Sequence, residues 1–403
     1  MSHSQSASAA RVAANPSLSV AELNQRAVRL LPELARGAVE RERERLLPYE
    51  QIEQIAAARL LTFRIPVAYG GSGSTAREVL QFIIDLAAVD SNIAQALRAS
   101  FLFIEGLLSK DDEAQRRRWF ARFLNGDVVG NAGWEIGGAN GAVATRIVRE
   151  GDHYRVNGSK YYSTGALYSS WVVSVAVDEN DKRVGFALPR DREGLELLDD
   201  FDAMGQRLTA SGTTHLRNAI VYPEEIQPYR DTEKRSIVTP FAQLYLGAVE
   251  AGIARNVLSD AVLFAREKAR PIVHSTAQKS VDDPYVAHSV GNISARAFAA
   301  EAAVLRAADS IDAAWASGRD EAAVTQAAVD VAQAQFIAIE SALKAAELLF
   351  DVGGASTTKR AHNFDRHWRN ARTVANHNPR DWKAAVVGAY QLKGTQPPLS
   401  GLF

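Results

Sequence analysis

GDHYRVNGSKYYSTGA, residues Gly151–Ala166, stands midway along the chain and has the grammar of a β-hairpin. Glu150-Gly151-Asp152 at its start and Val156-Asn157-Gly158 inside it are turn signals, and the residues between them form a short run suited to a strand. The same grammar continues outward. Arg146–Val148, His153–Val156, Trp171–Val177, Val184–Leu188 and Thr213–Val221 read as strands, with Asp178-Glu179-Asn180-Asp181 as a further turn. The spacing predicts a central antiparallel β domain of sandwich or barrel type over residues 128–232.

Helical patterns flank it on both sides, so the fold class is α+β and mostly α. Over residues 20–127, Ala21–Leu34, Tyr49–Leu61 and Val79–Leu108 carry apolar residues at helical spacing, and Lys110–Asp127 reads as a charged helix and turn. The run Ile65-Pro66-Val67-Ala68-Tyr69-Gly70-Gly71-Ser72-Gly73 breaks the pattern, because proline removes a donor and the glycines invite positive φ. Residues 233–403 return to helix in three long alanine-rich segments, Phe241–Ala269, Tyr285–Ala316 and Ala322–Phe350. A turn at Asp351–Arg360 then leads into a last helical stretch, Asp365–Tyr390. Long helices with short connections predict an antiparallel four-helix bundle. Its alanine and leucine surface is expected to pack against further copies of the chain.

Composition narrows the function. The 403 residues, 47% hydrophobic, are enough for two or three domains. A net charge of −1 gives no field to draw nucleic acid or an anionic membrane, and no run approaches the roughly 20 apolar residues of a membrane span. Absence of cysteine excludes disulfides, thiolate metal sites and cysteine nucleophiles. Neither a metal-ligand cluster, nor Ser-His-Asp spacing, nor a Gly-x-Gly-x-x-Gly dinucleotide motif is present. Residues 1–19 are small and polar without an apolar core, so they read as a disordered lead-in and not a secretion signal, and a cytoplasmic protein is expected.

Five motifs in order carry a family resemblance. IPVAYGGSG (Ile65–Gly73), the hairpin Gly151–Ala166, GIAR (Gly252–Arg255), Gly353-Gly354, and Arg366, Arg369 and Arg372 are similar to signatures of the acyl-CoA dehydrogenase superfamily across residues 20–395. Tyr162-Ser163-Thr164-Gly165-Ala166 replaces the dehydrogenases' Trp-Ile-Thr-Asn. With Phe201–Thr214, Asp365–Arg372 and His377–Lys383 it resembles the branch of flavin-dependent monooxygenases that includes the dibenzothiophene and sulfone monooxygenases. That resemblance implies a homotetramer taking reduced FMN from a separate NAD(P)H:flavin reductase. It also implies a C4a-hydroperoxyflavin formed with O2, and transfer of one oxygen to a small sulfur- or nitrogen-containing substrate. FAD is the other flavin it allows.

The closing segment distinguishes this branch from the dehydrogenases. Many dehydrogenases place their α-proton base there, whereas here Ala375-Asn376-His377-Asn378-Pro379-Arg380 carries a histidine, and Glu347 is the last glutamate. No glutamate lies between Glu233 and Glu250, the region of the other known base position. An FAD-dependent acyl-CoA dehydrogenase and a non-catalytic scaffold on the same fold remain the alternatives. One departure bears on substrate: relatives that oxidise fused aromatic thiophenes carry His and Tyr on the helix near Ala88–Leu107, and residues 70–152 here contain neither.

Carried over residue by residue, the resemblance makes His377 the group that protonates or hydrogen-bonds the peroxyflavin, an imidazole being able to titrate near neutrality. Ser163 and Thr164 fall where a strand passes the flavin ring, as against two exposed strand hydroxyls. Asn131 and Trp134 open the β domain, to hydrogen-bond and wall the flavin, or as plain core. Arg270 and Ser275 offer phosphate donors, the alternative being a cation complementing a helix dipole. Gly353, Gly354 and Ser356 form a loop that helps hold a neighbouring subunit's cofactor, or a helix cap. Ser100, Phe101, Phe103, Phe241 and Tyr245 are assigned to the substrate pocket.

Overall fold

A computed structural model describes residues 17–137, 141–227, 235–399 and 403; most of the lead-in segment lies outside them. Seven helices come first: α1 (Val20–Ala35), α2 (Ala38–Glu44), α3 (Tyr49–Ala57), α4 (Ala76–Ala87), α5 (Ser91–Ala96), α6 (Arg98–Leu108) and α7 (Glu113–Leu124). Ser19 with Glu22 and Thr75 with Glu78 close reciprocal capping boxes that fix where α1 and α4 begin. Residues 79–108, expected as one helix, are three. Asp90 leaves the helical region and its carboxylate caps Asn92 and Ile93 N–H, while Arg41 holds it at 3.1 Å. The break turns Ser91 and Asn92 toward the β domain.

The β domain is one sheet built from β1 (Val129–Ala132), β2 (Arg146–Glu150), β3 (His153–Lys160), β4 (Trp171–Val177), β5 (Arg183–Pro189), β6 (Leu195–Leu197), β7 (Thr214–Val221) and β8 (Ile226–Gln227). Its order is β6-β7-β3-β2-β4-β5-β8, with β1 beside β4. Most pairs are antiparallel as expected, but β1 pairs β4 in parallel over its whole length, and β2 touches β4 in parallel at Arg146 and Val177. The segment after β3 returns the chain to the start of β1, where Ser170 N–H donates to the Val128 carbonyl at 2.8 Å, so β4 runs alongside β1 in the same direction.

The bundle comprises α8 (Val238–Glu267), α9 (Pro284–Ala316) and α10 (Glu321–Leu348), with α11 (Asp365–Ala375) and α12 (Arg380–Lys393) together supplying the fourth member. Pro379 splits the last helical stretch, since the residue before a proline is pushed out of the helical region. The split leaves residues 376–379 as a non-helical corner. Helix α10 is apolar and long enough to cross a membrane by composition alone, yet it packs on α8 and α9 as the bundle's core.

Candidate active site

The segment Met204–Thr214 joins all three parts. Gln206 N–H donates to Asn370 of α11 at 2.7 Å, and Leu208 N–H donates to Asn92 of α5 at 3.2 Å. Gly165 N–H donates to the Thr209 carbonyl at 2.9 Å, and Ser163 N–H to the Gly212 carbonyl at 3.2 Å. Residues 161–166 are thereby fixed against the N-terminal helices and the bundle at once. Gly165 is required here. Its φ is +76°, and a Cβ would sit 2.2 Å from the Ala96 carbonyl oxygen.

Along this edge lie several predicted residues. Ser163 is 2% exposed and its Oγ accepts from Thr214 at 2.8 Å. Thr164 Oγ1 shares a hydrogen bond with Ser211 at 2.9 Å, and its carbonyl accepts from Asn131 N–H at 3.0 Å. Asn131 is half-buried on β1. Trp134, 43% exposed, bridges to Tyr161, and Tyr162, with φ +57°, is 54% exposed. Two aromatic faces are thus open beside a row of hydroxyl and amide groups. A flat heteroaromatic ring with polar edges fits such a surface.

Two residues beyond Ala96, Arg98 opens α6 and leads to the other wall. Its guanidinium donates to the Ala242 carbonyl of α8 at 3.2 Å. Next to Ala242, Gln243 Oε1 accepts from Asn378 Nδ2 at 2.6 Å and lies 3.3 Å from Lys383 Nζ. His377 precedes Asn378 in this corner. Its surface is exposed. Desolvation and then the Arg98 charge lower its pKa to about 3, against a weaker opposing pull from Asn378, whose Oδ1 makes no formed hydrogen bond. His377 is therefore a neutral imidazole at pH 7, not the near-neutral titrating group expected from its residue type. Burial likewise lowers Lys383 to about 7.

The pocket residues separate. Tyr245 is fully buried with its hydroxyl donating to the Ala94 carbonyl at 2.6 Å, Phe101 packs beside it with ring centroids 5.8 Å apart, and Phe241 is also fully buried. Ser100 is committed to the backbone of β1, accepting from Val129 N–H at 2.9 Å and donating to its carbonyl at 3.0 Å. Phe103 packs on Trp119 and Phe123 of α7.

A second group is not brought to this edge within the chain. Arg270 is exposed and Ser275 half-buried in the loop after α8, and Gly353 packs on Phe264 so tightly that a Cβ would be 2.1 Å from its ring. Ser356 Oγ donates to the Gly353 carbonyl at 2.7 Å, and Gly354 is exposed with φ +53°. The 24 residues of α8 between Gln243 and Glu267 at about 1.5 Å each put this group roughly 36 Å from His377's corner. Arg98, Gln243, Asn378 and Glu250 were not singled out from sequence, since an arginine opening a helix or a glutamate inside one has no local signature. A groove lined by Arg77, Phe298, Glu301 and Asp309 shares no residue with either group. Among the described residues no cluster of His, Asp and Glu could hold a metal.

Comparison with known proteins gives one direction. Models of the acyl-CoA dehydrogenase N-terminal, middle and C-terminal domains match residues 23–127, 135–219 and 244–382. A dibenzothiophene monooxygenase of Mycolicibacterium goodii is 30% identical over 380 residues, covering 89% of this chain and 91% of that protein. A probable FMNH2-dependent monooxygenase of Pseudomonas putida, SfnC, is 30% identical over 91% of this chain and 94% of its own length. The crystal structure of FMN-bound TdsC from Paenibacillus sp. A11-2 superposes with a TM-score of 0.87 at 26% identity, covering 94% and 100% of the two chains.

Proposed function

The chain belongs to the acyl-CoA dehydrogenase family, within its branch of flavin-dependent monooxygenases, and on that premise we propose that it uses reduced FMN and O2 to oxygenate a small sulfur- or nitrogen-containing organic compound. The observation that carries this reading is the closing corner. In the segment where many dehydrogenases of this fold carry a carboxylate base, Ala375–Arg380, there is no acid and a histidine, His377, stands instead, while Glu250 on α8 is sealed at 0% exposure inside the bundle. Bound reduced flavin supplies the electrons that activate oxygen. The protein's own task is to place that ring and govern protons beside it.

The residues fit that task. Trp134 and Tyr162 offer the aromatic faces, and Asn131, Ser163 and Thr164 offer polar groups at the ring's edge. His377, held neutral, donates one N–H as a hydrogen bond and keeps a second nitrogen free to accept a proton. Arg270, Ser275, Gly353, Gly354 and Ser356 lie too far away to serve the same flavin, so they are assigned to the cofactor of a neighbouring subunit in a homotetramer. Exposed Tyr285 and Phe298 on α9 and Trp382 and Leu392 on α12 support assembly. The reduced flavin comes from a separate NAD(P)H:flavin reductase, since the chain has no nicotinamide motif, and the setting is cytoplasmic.

Anaerobic titration with reduced and oxidised FMN and FAD tests the reading, followed by mixing with oxygen in a stopped-flow instrument. Tighter binding of reduced FMN, and a transient oxygen adduct absorbing apart from both flavin redox states, are expected. Tight binding of oxidised FAD that is bleached by an acyl-CoA would instead establish a dehydrogenase. No flavin binding at all would leave a scaffold.

A further inference from the structure

Past Pro379, in the first turn of α12, Lys383 reaches back to α8. Its Nζ donates to Gln243 Oε1 at 3.3 Å, and the Phe403 ring centroid lies 4.7 Å from the same Nζ. That Oε1 also accepts from Asn378 Nδ2 at 2.6 Å. Lys383, Gln243 and Asn378 are 2%, 1% and 2% exposed. Asn378 Oδ1, the other end of its amide, is buried without a formed hydrogen bond. Toward His377 this amide behaves as an acceptor, since it favours the protonated ring. The two ends of an amide are nearly alike in shape, so its partners decide which way it points. An ammonium decides without ambiguity, having three donors and no acceptor. It must meet the oxygen of Gln243. That oxygen must then meet the nitrogen of Asn378, which leaves Oδ1 for His377.

We propose that Lys383 is a positioning residue for His377. As the donor-only end of a chain through Gln243 and Asn378, it fixes which ring nitrogen carries the hydrogen, the one facing Asn378. The other nitrogen then presents a lone pair on the exposed side. This rests on reading His377 as the group beside the flavin, and it deepens that reading: a ligand there gives a hydrogen bond to the imidazole and does not take one. The reverse tautomer would leave Asn378 Oδ1 buried and unpaired, which is costly. Were Lys383 replaced by a group without donors, both amides could turn over together and either tautomer would be satisfied.

Nitrogen-15 spectra of the histidine rings in the flavin-free protein at pH 6 test the chain without relying on catalysis. At that pH an imidazole with a pKa of about 3 is neutral and an ammonium with a pKa of about 7 is charged. The ring shifts report how much of each tautomer is present, and the His377 signals are those lost in His377→Gln. Relative to Asn378→Leu, the parent should favour one tautomer by about tenfold, the scale of leaving a buried acceptor unpaired. Lys383→Met and Gln243→Leu should each move the ratio most of the way to that of Asn378→Leu. Lys383→Arg, also donor-only, should keep it. A parent ratio equal to that of Asn378→Leu, or a ratio unchanged in both Lys383→Met and Gln243→Leu, overturns the proposal. Rapid mixing of the reduced-FMN form with oxygen separates the two readings. An oxygen adduct that decays several-fold faster in Lys383→Met than in Lys383→Arg supports both. A ratio that follows Lys383 in a protein giving no oxygen adduct upholds the chain and removes the oxygenase.

Discussion

Helix α11 runs between two polar corners that treat charge in opposite ways. At its start Asp260 receives Arg366 at 2.6 Å and His367 at 2.8 Å, and Glu42 receives Arg369 at 2.9 Å and Asn363 at 2.5 Å. Each charge there has an opposite neighbour and its hydrogen bonds. At its end Arg98 has no acid. Close to α11 on α8, Glu250 has both carboxylate oxygens without a hydrogen-bond partner, and burial pushes its pKa well up, with Arg372 the opposing charge. The first corner is a lock that fastens α11 to α8 and α2. The second is unfinished without a ligand, which is the mark of a site as opposed to a joint.

The sharpest way to break this contrast is at His377. His377→Ala should leave the fold and flavin affinity nearly intact and lower coupled product formation by about 10²–10⁴-fold, the usual contribution of a positioned acid–base group. Hydrogen peroxide should rise at the product's expense. Coupled turnover within a few-fold of the parent would make the histidine structural and the contrast empty. The opposite behaviour is expected of the lock. Asp260→Asn strands Arg366 at 9% side-chain exposure, and removing one partner of a buried pair costs about 3–5 kcal/mol. The urea midpoint should fall accordingly, with activity per folded molecule kept; an unchanged midpoint removes the distinction.

Acid titration reads the paired corner with a smaller effect, on top of a like contribution from His377, whose pKa is also lowered. Desolvation first, then Arg366, lowers His367 to about 4, because Asp260 is shared with an arginine that holds the charge. From pH 6.5 down to about 4 the unfolded chain therefore binds the proton the native state refuses, so stability falls with falling pH in that window. Between pH 7 and pH 5 the loss from this one buried group is roughly 2 kcal/mol. His367→Gln should flatten that part of the urea-midpoint profile. A profile equally steep in the variant assigns the acid sensitivity elsewhere.

The hairpin turn at Gly151-Asp152, the order of the three parts and the closing histidine were legible because turns, periodicity and motif order are local properties of the chain, whereas Val156-Asn157-Gly158, read as a turn, is a bulge within β3. Two helix breaks were not legible. Asp90 stops a helix because Arg41, far away in sequence, stabilises the carboxylate that caps the next one. Pro379 was visible, but the corner it makes acquires meaning only through Gln243 across the bundle. The environment of His377 was hidden for the same reason. Its residue type announces a group that titrates near neutrality, and only the fold brings the desolvation and the Arg98 charge that keep it neutral. The parallel β1–β4 pair also escaped, since strand direction depends on where the chain returns and not on the strand's own residues.

The finest test lies on the opposite wall, at Ser163. Thr214 donates to its Oγ, which leaves the Ser163 hydrogen for a second acceptor while the oxygen stays fixed. Ser163→Ala removes one neutral hydrogen bond, a net effect of about 0.5–1.5 kcal/mol, and should lower coupled turnover several-fold with a modest rise in peroxide. Thr214→Val keeps the serine but frees its rotation, so a smaller loss of the same kind is expected. The order His377→Ala, Ser163→Ala, Thr214→Val in uncoupling is what a proton-governing group, a hydrogen-bond donor and its orienting neighbour should give. If Ser163→Ala lowers the melting temperature but leaves the product-to-peroxide ratio untouched, the hydroxyl belongs with the paired, structural corner and not with the site.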